Sequence, residues 1–220
     1  MNSFKCYNSY IGLKMRCLMY VGYPLFVSAF AVLQLIFLHA KWMIPGTFIM
    51  TMVFTLMLIF FMDKYSIGAI YINKGQDDEM IKSSSKGAEF IKKVLTLDLI
   101  FRFAMILTIT LIIVTVTVIA GYFDEYKLKI LSSSVIFLLA MDGVSNLAVV
   151  ICRMIRGQNE AVAAFFGLEM LYVPAVAVIL IGEPVGCYIT ALLYLILDVS
   201  AIAMNIKKTN KLVNEEWYKD

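Results

Sequence analysis

Six long apolar runs divide this chain, at about 18–38, 47–72, 94–120, 130–152, 161–181 and 187–206. About 20 apolar residues in a helix cross a hydrocarbon core of roughly 30 Å, so each run predicts a membrane span. A transmembrane β-barrel would instead alternate apolar and polar residues over segments of about ten. The expected fold is all-α, a polytopic membrane protein with six transmembrane helices. The connections are short. His39–Gly46 contains Pro45, Arg153–Glu160 is a polar link, and Gly182–Gly186 reads GEPVG. Asp63–Ile72, the last part of the second run, is expected to project beyond the membrane.

Ahead of the first run, Phe4, Tyr7, Ile11, Met15 and Leu18 recur at helical spacing, with Lys5, Lys14 and Arg16 mostly off that stripe. This predicts an amphipathic interfacial helix over 1–17, lying on the membrane surface. A frayed basic tail is the alternative. The run from Cys17 is long enough to remain a span rather than a cleaved signal. The remaining organisation is a six-helix domain over 18–206 and a polar tail over 207–220.

Residues 73–93 break the pattern, with nine of these 21 residues charged in a chain that is 61% hydrophobic. Asn73-Lys74-Gly75 reads as a turn. Asp77 can cap a short helix with Asp78 and Glu79 in its first turn. Met80 and Ile81 then form an apolar pair, followed by Lys82. Ser85 is positioned to cap a helix that carries Glu89 and runs through Phe90, Lys92 and Lys93 into the third span. An apolar pair flanked by charge suits docking into a partner's groove. A plain solvated connector is the alternative.

Charge placement orients the chain. Fifteen lysines and arginines fall on the side of the termini and residues 73–93, and only Lys41, Lys127 and Lys129 fall on the other. That bias predicts cytoplasmic termini and a cytoplasmic 73–93. Charged residues make up 16% of the chain, against roughly 25% in soluble domains. Cys6, Cys17, Cys152 and Cys187 show no paired spacing, so a disulfide framework is not expected.

Recognisable catalytic chemistry is missing from the sequence. There is no GxxxxGK[ST], no HExxH and no GxSxG, and His39 is the one histidine. A zinc site usually takes three or four ligands. The expectation is a chain that is not an enzyme by itself and binds no metal or cofactor.

Ionisable residues at membrane depth are costly and are candidates for function. Asp98 and Arg102 lie four apart in the third span and can pair. Asp142 and Asn146 are one turn apart in the fourth, Glu169 is in the fifth and Asp198 in the sixth. These residues either line a path for cationic cargo or hold the bundle together by hydrogen bonds. Pro174, one turn past Glu169, removes a helical hydrogen bond and predicts a bend, as a gating point or a fixed one.

Six spans in 220 residues, a basic surface helix and a polar helix between spans 2 and 3 resemble the ABC-2 class of transporter permease. The stretch SSSKGAEFIKKVLTLDLI (Ser83–Ile100) resembles the entry to the third span in that class, although it lacks the Leu-Pro pair many members carry. The resemblance implies a half-transporter of the type V ABC exporter kind in the bacterial plasma membrane. Its partners would be a second six-span permease and a cytoplasmic ATPase holding ATP and magnesium, with no nucleic acid. The ATPase would contact Asp77–Lys82. Members without a fused ATPase include exporters of antimicrobial peptides and phenol-soluble modulins. The alternative is the substrate-binding membrane component of a vitamin importer. An intramembrane peptidase or lipid-processing enzyme is a third reading.

Overall fold

A computed structural model describes residues 3–38, 44–65, 86–155, 158–181 and 184–211. Every described element is a helix: α1 (Ser3–Tyr10), α2 (Lys14–Phe37), α3 (Ile44–Tyr65), α4 (Gly87–Ile119), α5 (Phe123–Cys152), α6 (Gln158–Met170), α7 (Val173–Ile181) and α8 (Pro184–Lys211). Six of the resulting units, α2, α3, α4, α5, the α6–α7 pair and α8, are long and apolar enough to cross a membrane. The chain is a multi-pass membrane protein.

The amphipathic stripe at the start divides. Helix α1 ends at Tyr10 and a new helix starts after Gly12, whose extended backbone (φ −54°, ψ 147°) breaks the run. Tyr7 and Ile11 do not face lipid. With Cys6 they pack on Ile91, Val94 and Leu95 of α4. Phe4 and Leu18 stay exposed. The predicted surface helix is therefore seated on the bundle, where it covers the apolar α4 face at the start of the third run.

Helix α5 is the centre. Its span is 72% buried, whereas those of α6–α7 and α8 are each 22% buried. The most extensive helix contact is α8 along α5, followed by α3 on α5. Close approach is possible where Gly143 meets the α8 backbone; a Cβ there would stand 3.1 Å from the Asp198 nitrogen. Small residues permit such contacts in lipid, where exclusion from water cannot drive helices together.

A polar seam joins α2 to α3. The Tyr23 hydroxyl lies 2.6 Å from Thr55 Oγ1, and the Thr47 hydroxyl donates to Gln34 Oε1 at 2.9 Å. Thr51 and Thr55 satisfy themselves by donating to carbonyls four residues back, at 2.7 Å each. Helix α2 also carries two π-helical turns, Leu18–Gly22 and Leu33–Phe37.

The ends depart from the hydropathy boundaries. Pro45 and Gly46 belong to the first turn of α3 rather than to a loop, a place where proline loses no helical bond. Between α4 and α5, Gly121 takes φ 77°, and its N–H bonds Val118 O at 3.0 Å while Tyr122 N–H bonds Thr117 O at 3.1 Å. This Schellman arrangement favours glycine at that position. The N-cap of α4 is Lys86, with no side-chain cap hydrogen bond, and Ser85, expected to cap this helix, lies outside the described residues. Helix α8 continues past Ile206 to Lys211, and Lys208 Nζ donates to the Val150 carbonyl at 3.2 Å. All four cysteines are free, three buried and Cys17 exposed.

Candidate functional site

Two buried polar clusters lie in the bundle. The first sits at the end where the chain leaves α3 and re-enters α4. It begins with the pair expected from spacing, Arg102 Nη2 at 3.0 Å from Asp98 Oδ2. Asp63 and Arg153 join it. Arg153 grips Asp63 with both prongs of its fork, Nη2 to Oδ1 at 2.8 Å and Nε to Oδ2 at 3.1 Å. The same Nη2 lies 3.5 Å from Asp98 Oδ2, and Nη1 donates to Asn205 Oδ1 at 3.0 Å. Helices α3, α4 and α8 and the C-terminal cap of α5 thus meet at one point.

Asp63, the first residue of the stretch expected to project beyond the membrane, and Arg153, the first residue of the polar link, are both buried here, 4% and 3% exposed. The cluster holds two carboxylates, Asp63 and Asp98, and two guanidiniums, Arg102 and Arg153. A charged residue at the edge of an apolar run reads as surface because hydropathy carries no information about a partner on another span.

Charge is balanced in this cluster, but hydrogen bonding is not. Arg102 Nη2 and Asp98 Oδ2 are at ion-pair distance without hydrogen-bond alignment. Arg102 Nη1 and Asn205 Nδ2 donate to nothing among the described residues, although both residues are buried. A buried network satisfied only in part holds its members less firmly than a complete one.

The second cluster lies deeper, on the α5–α8 seam. The Asn146 amide lies 3.2 Å from Asp142 Oδ2 and 3.3 Å from Asp198 Oδ1. Asp142 and Asp198 come from different spans and are brought together by the close approach at Gly143. This supports the hydrogen-bonding reading of these residues at least as directly as a cargo path.

Glu169 joins neither cluster. It stands one residue before the end of α6, with Oε1 enclosed and without a hydrogen-bond partner among the described residues. The bend expected at Pro174 is present as the break between α6 and α7. There the Tyr194 hydroxyl of α8 donates to the Leu171 carbonyl at 2.5 Å and accepts from the Ala175 N–H at 3.2 Å. It occupies the place of one helical bond. Sequence reasoning missed Asp63, Arg153 and Tyr194. Asn205 was legible as a polar side chain below Asp198 in the last turns of the sixth apolar run.

The proposed contact Asp77, Asp78, Glu79, Met80, Ile81 and Lys82 lies outside the described residues. Among the described residues no group of three or more histidines, cysteines and carboxylates could hold a metal ion. Comparison with family models, curated proteins and solved structures gives no match.

Proposed function

We propose that this chain is the membrane-spanning permease subunit of an ATP-driven exporter, working with a second six-span subunit and a separate cytoplasmic ATPase. The observation that carries this reading is the Asp63–Arg153–Asp98–Arg102 cluster. It ties α3, α4 and α5 together, with Asp63 near the end of α3 and Asp98 eleven residues into α4, on either side of residues 66–85, which hold most of the polar stretch 73–93 offered to a partner. Force applied to that stretch reaches Asp63 at the end of α3 and Asp98 within α4, and both meet Arg153. The incomplete hydrogen bonding of Arg102 supports a junction that rearranges rather than one that is locked.

The cargo class follows from the resemblance to peptide exporters: amphipathic, antimicrobial or toxin peptides. Asp142, Glu169 and Asp198 are the acids available to a cationic peptide. The test is co-purification of the chain with the products of its neighbouring genes, followed by peptide-stimulated ATP hydrolysis. A bound ATPase whose turnover rises with peptide, and whose binding is lost on reversing the charges of Asp78 and Glu79, is expected. Purified chain that recruits no ATPase and instead binds a vitamin would overturn the reading in favour of an importer component.

A further inference from the structure

A groove of about 420 Å³ opens between α1, α2 and α4, within the size range of ligand sites of roughly 300–1,000 Å³. We propose that it holds one acyl chain of an anionic phospholipid, with the headgroup phosphate on Arg16. This inference stands apart from the transport reading.

The walls are built by helical spacing. Arg16, Tyr20 and Pro24 recur every four residues along α2, facing Phe101, Ala104 and Thr108 of α4. Arg16 to Pro24 spans about 12 Å at 1.5 Å per residue. The trough therefore has a cationic end and an apolar length, lying along helices that cross the membrane. That is the polarity of a phospholipid standing in its leaflet.

Arg16 is fixed for this role. Its Nε donates to the Ile11 carbonyl at 3.0 Å and its Nη1 to Asn8 Oδ1 at 2.5 Å, which leaves Nη2 unpaired among the described residues. A guanidinium held in this way presents a planar donor edge to a phosphate. The surroundings favour an anion. Lys5 and Lys14 are exposed nearby in sequence, no aspartate or glutamate occurs before Asp63, and Asp98, which lies against the lining residue Tyr7, is held by Arg102 and Arg153. A zwitterionic headgroup would gain less from this field, and a cationic peptide would be repelled. The apolar walls call for a chain rather than free phosphate.

Native mass spectrometry of the full chain, titrated with phosphatidylglycerol or phosphatidylcholine, tests the proposal. Wild type is expected to retain phosphatidylglycerol about tenfold more tightly, the scale of one charge-assisted contact. Arg16→Gln should abolish that preference and Arg16→Lys should keep most of it, which separates charge from the bonds to Ile11 and Asn8. Ala104→Trp, at an exposed position, should lower occupancy by both lipids while Arg16 stays in place. Equal affinity of wild type for the two lipids overturns the proposal. So does an undiminished preference in Arg16→Gln, or a wild-type dimer that Ala104→Trp disperses, which would make a second copy the occupant.

Discussion

The Tyr194 hydroxyl donates to the Leu171 carbonyl at 2.5 Å, across the gap between the two halves of the fifth span. The same oxygen accepts the Ala175 N–H, so one side chain of α8 replaces a missing rung of the helical ladder. In lipid an unpaired backbone group costs several kcal/mol, which is why a proline break needs such a neighbour. Pro174 opens the ladder and Tyr194 closes it, and the bend is fixed by α8.

Tyr194→Phe is accordingly expected to destabilise the protein by about 1–3 kcal/mol, the usual cost of leaving a buried polar group unmatched. The effect should be local. Hydrogen exchange at the Ala175 amide should rise by much more than at the middle of α5. Equal protection of Ala175 in both proteins would show that Tyr194 does not hold the break.

The ion cluster gives a charge-balance prediction. Asp63→Leu leaves Arg153 with only its longer carboxylate contact, 3.5 Å to Asp98, and Arg153→Met leaves Asp63 buried without its cation. Each single change should cost about 3–5 kcal/mol. Changing both leaves the Asp98–Arg102 pair neutral by itself, so the double variant should be more stable than either single one. Thermal unfolding in detergent measures this, and simple addition of the two losses would refute the coupling.

Gly143→Ala tests the α5–α8 seam. Its Cβ would stand 3.1 Å and 3.2 Å from the Asp198 backbone nitrogen and Cα, which cannot move without shifting α8. A loss of about 1–3 kcal/mol is expected from overpacking. Melting at the wild-type temperature would mean that the helices part more easily than this contact implies.

Alkaline pH acts through Tyr7 in α1. Burial, reinforced by the negative charge of Asp98, pushes its phenol well above the ordinary value near 10. Above about pH 10 the unfolded chain loses this proton while the folded chain keeps it. The unfolded state then binds fewer protons, so stability falls as pH rises through that window. Tyr7→Phe should lose the bond to Tyr20, worth about 1 kcal/mol at neutral pH. It should also lose less stability than wild type between about pH 8 and about pH 11. Parallel pH profiles for the two proteins would contradict this assignment.

The export reading predicts that Asp142→Asn, Glu169→Gln or Asp198→Asn lowers peptide transport in reconstituted vesicles. Asn146 touches both aspartates, so the first and third changes should not be independent of each other. Wild-type transport by all three variants would remove these acids from the path and leave them as packing residues.

The sequence by itself determined what depends on near neighbours. Six spans follow from runs of apolar residues, the Asp98–Arg102 pair follows from a spacing of four, and the break near Pro174 follows from a missing N–H. Hydrophobicity and helical geometry act within about one turn to one membrane thickness, so they can be read along the chain. Only the tertiary structure decided what Asp63, Asp198 and Tyr194 meet. Asp63 lies 90 positions from Arg153, and Asn146 lies 52 from Asp198. Which polar side chains meet across spans depends on helix rotation and on close approach at points such as Gly143. Those are set by packing of the whole bundle, because lipid, unlike water, offers a polar group no partner outside the protein.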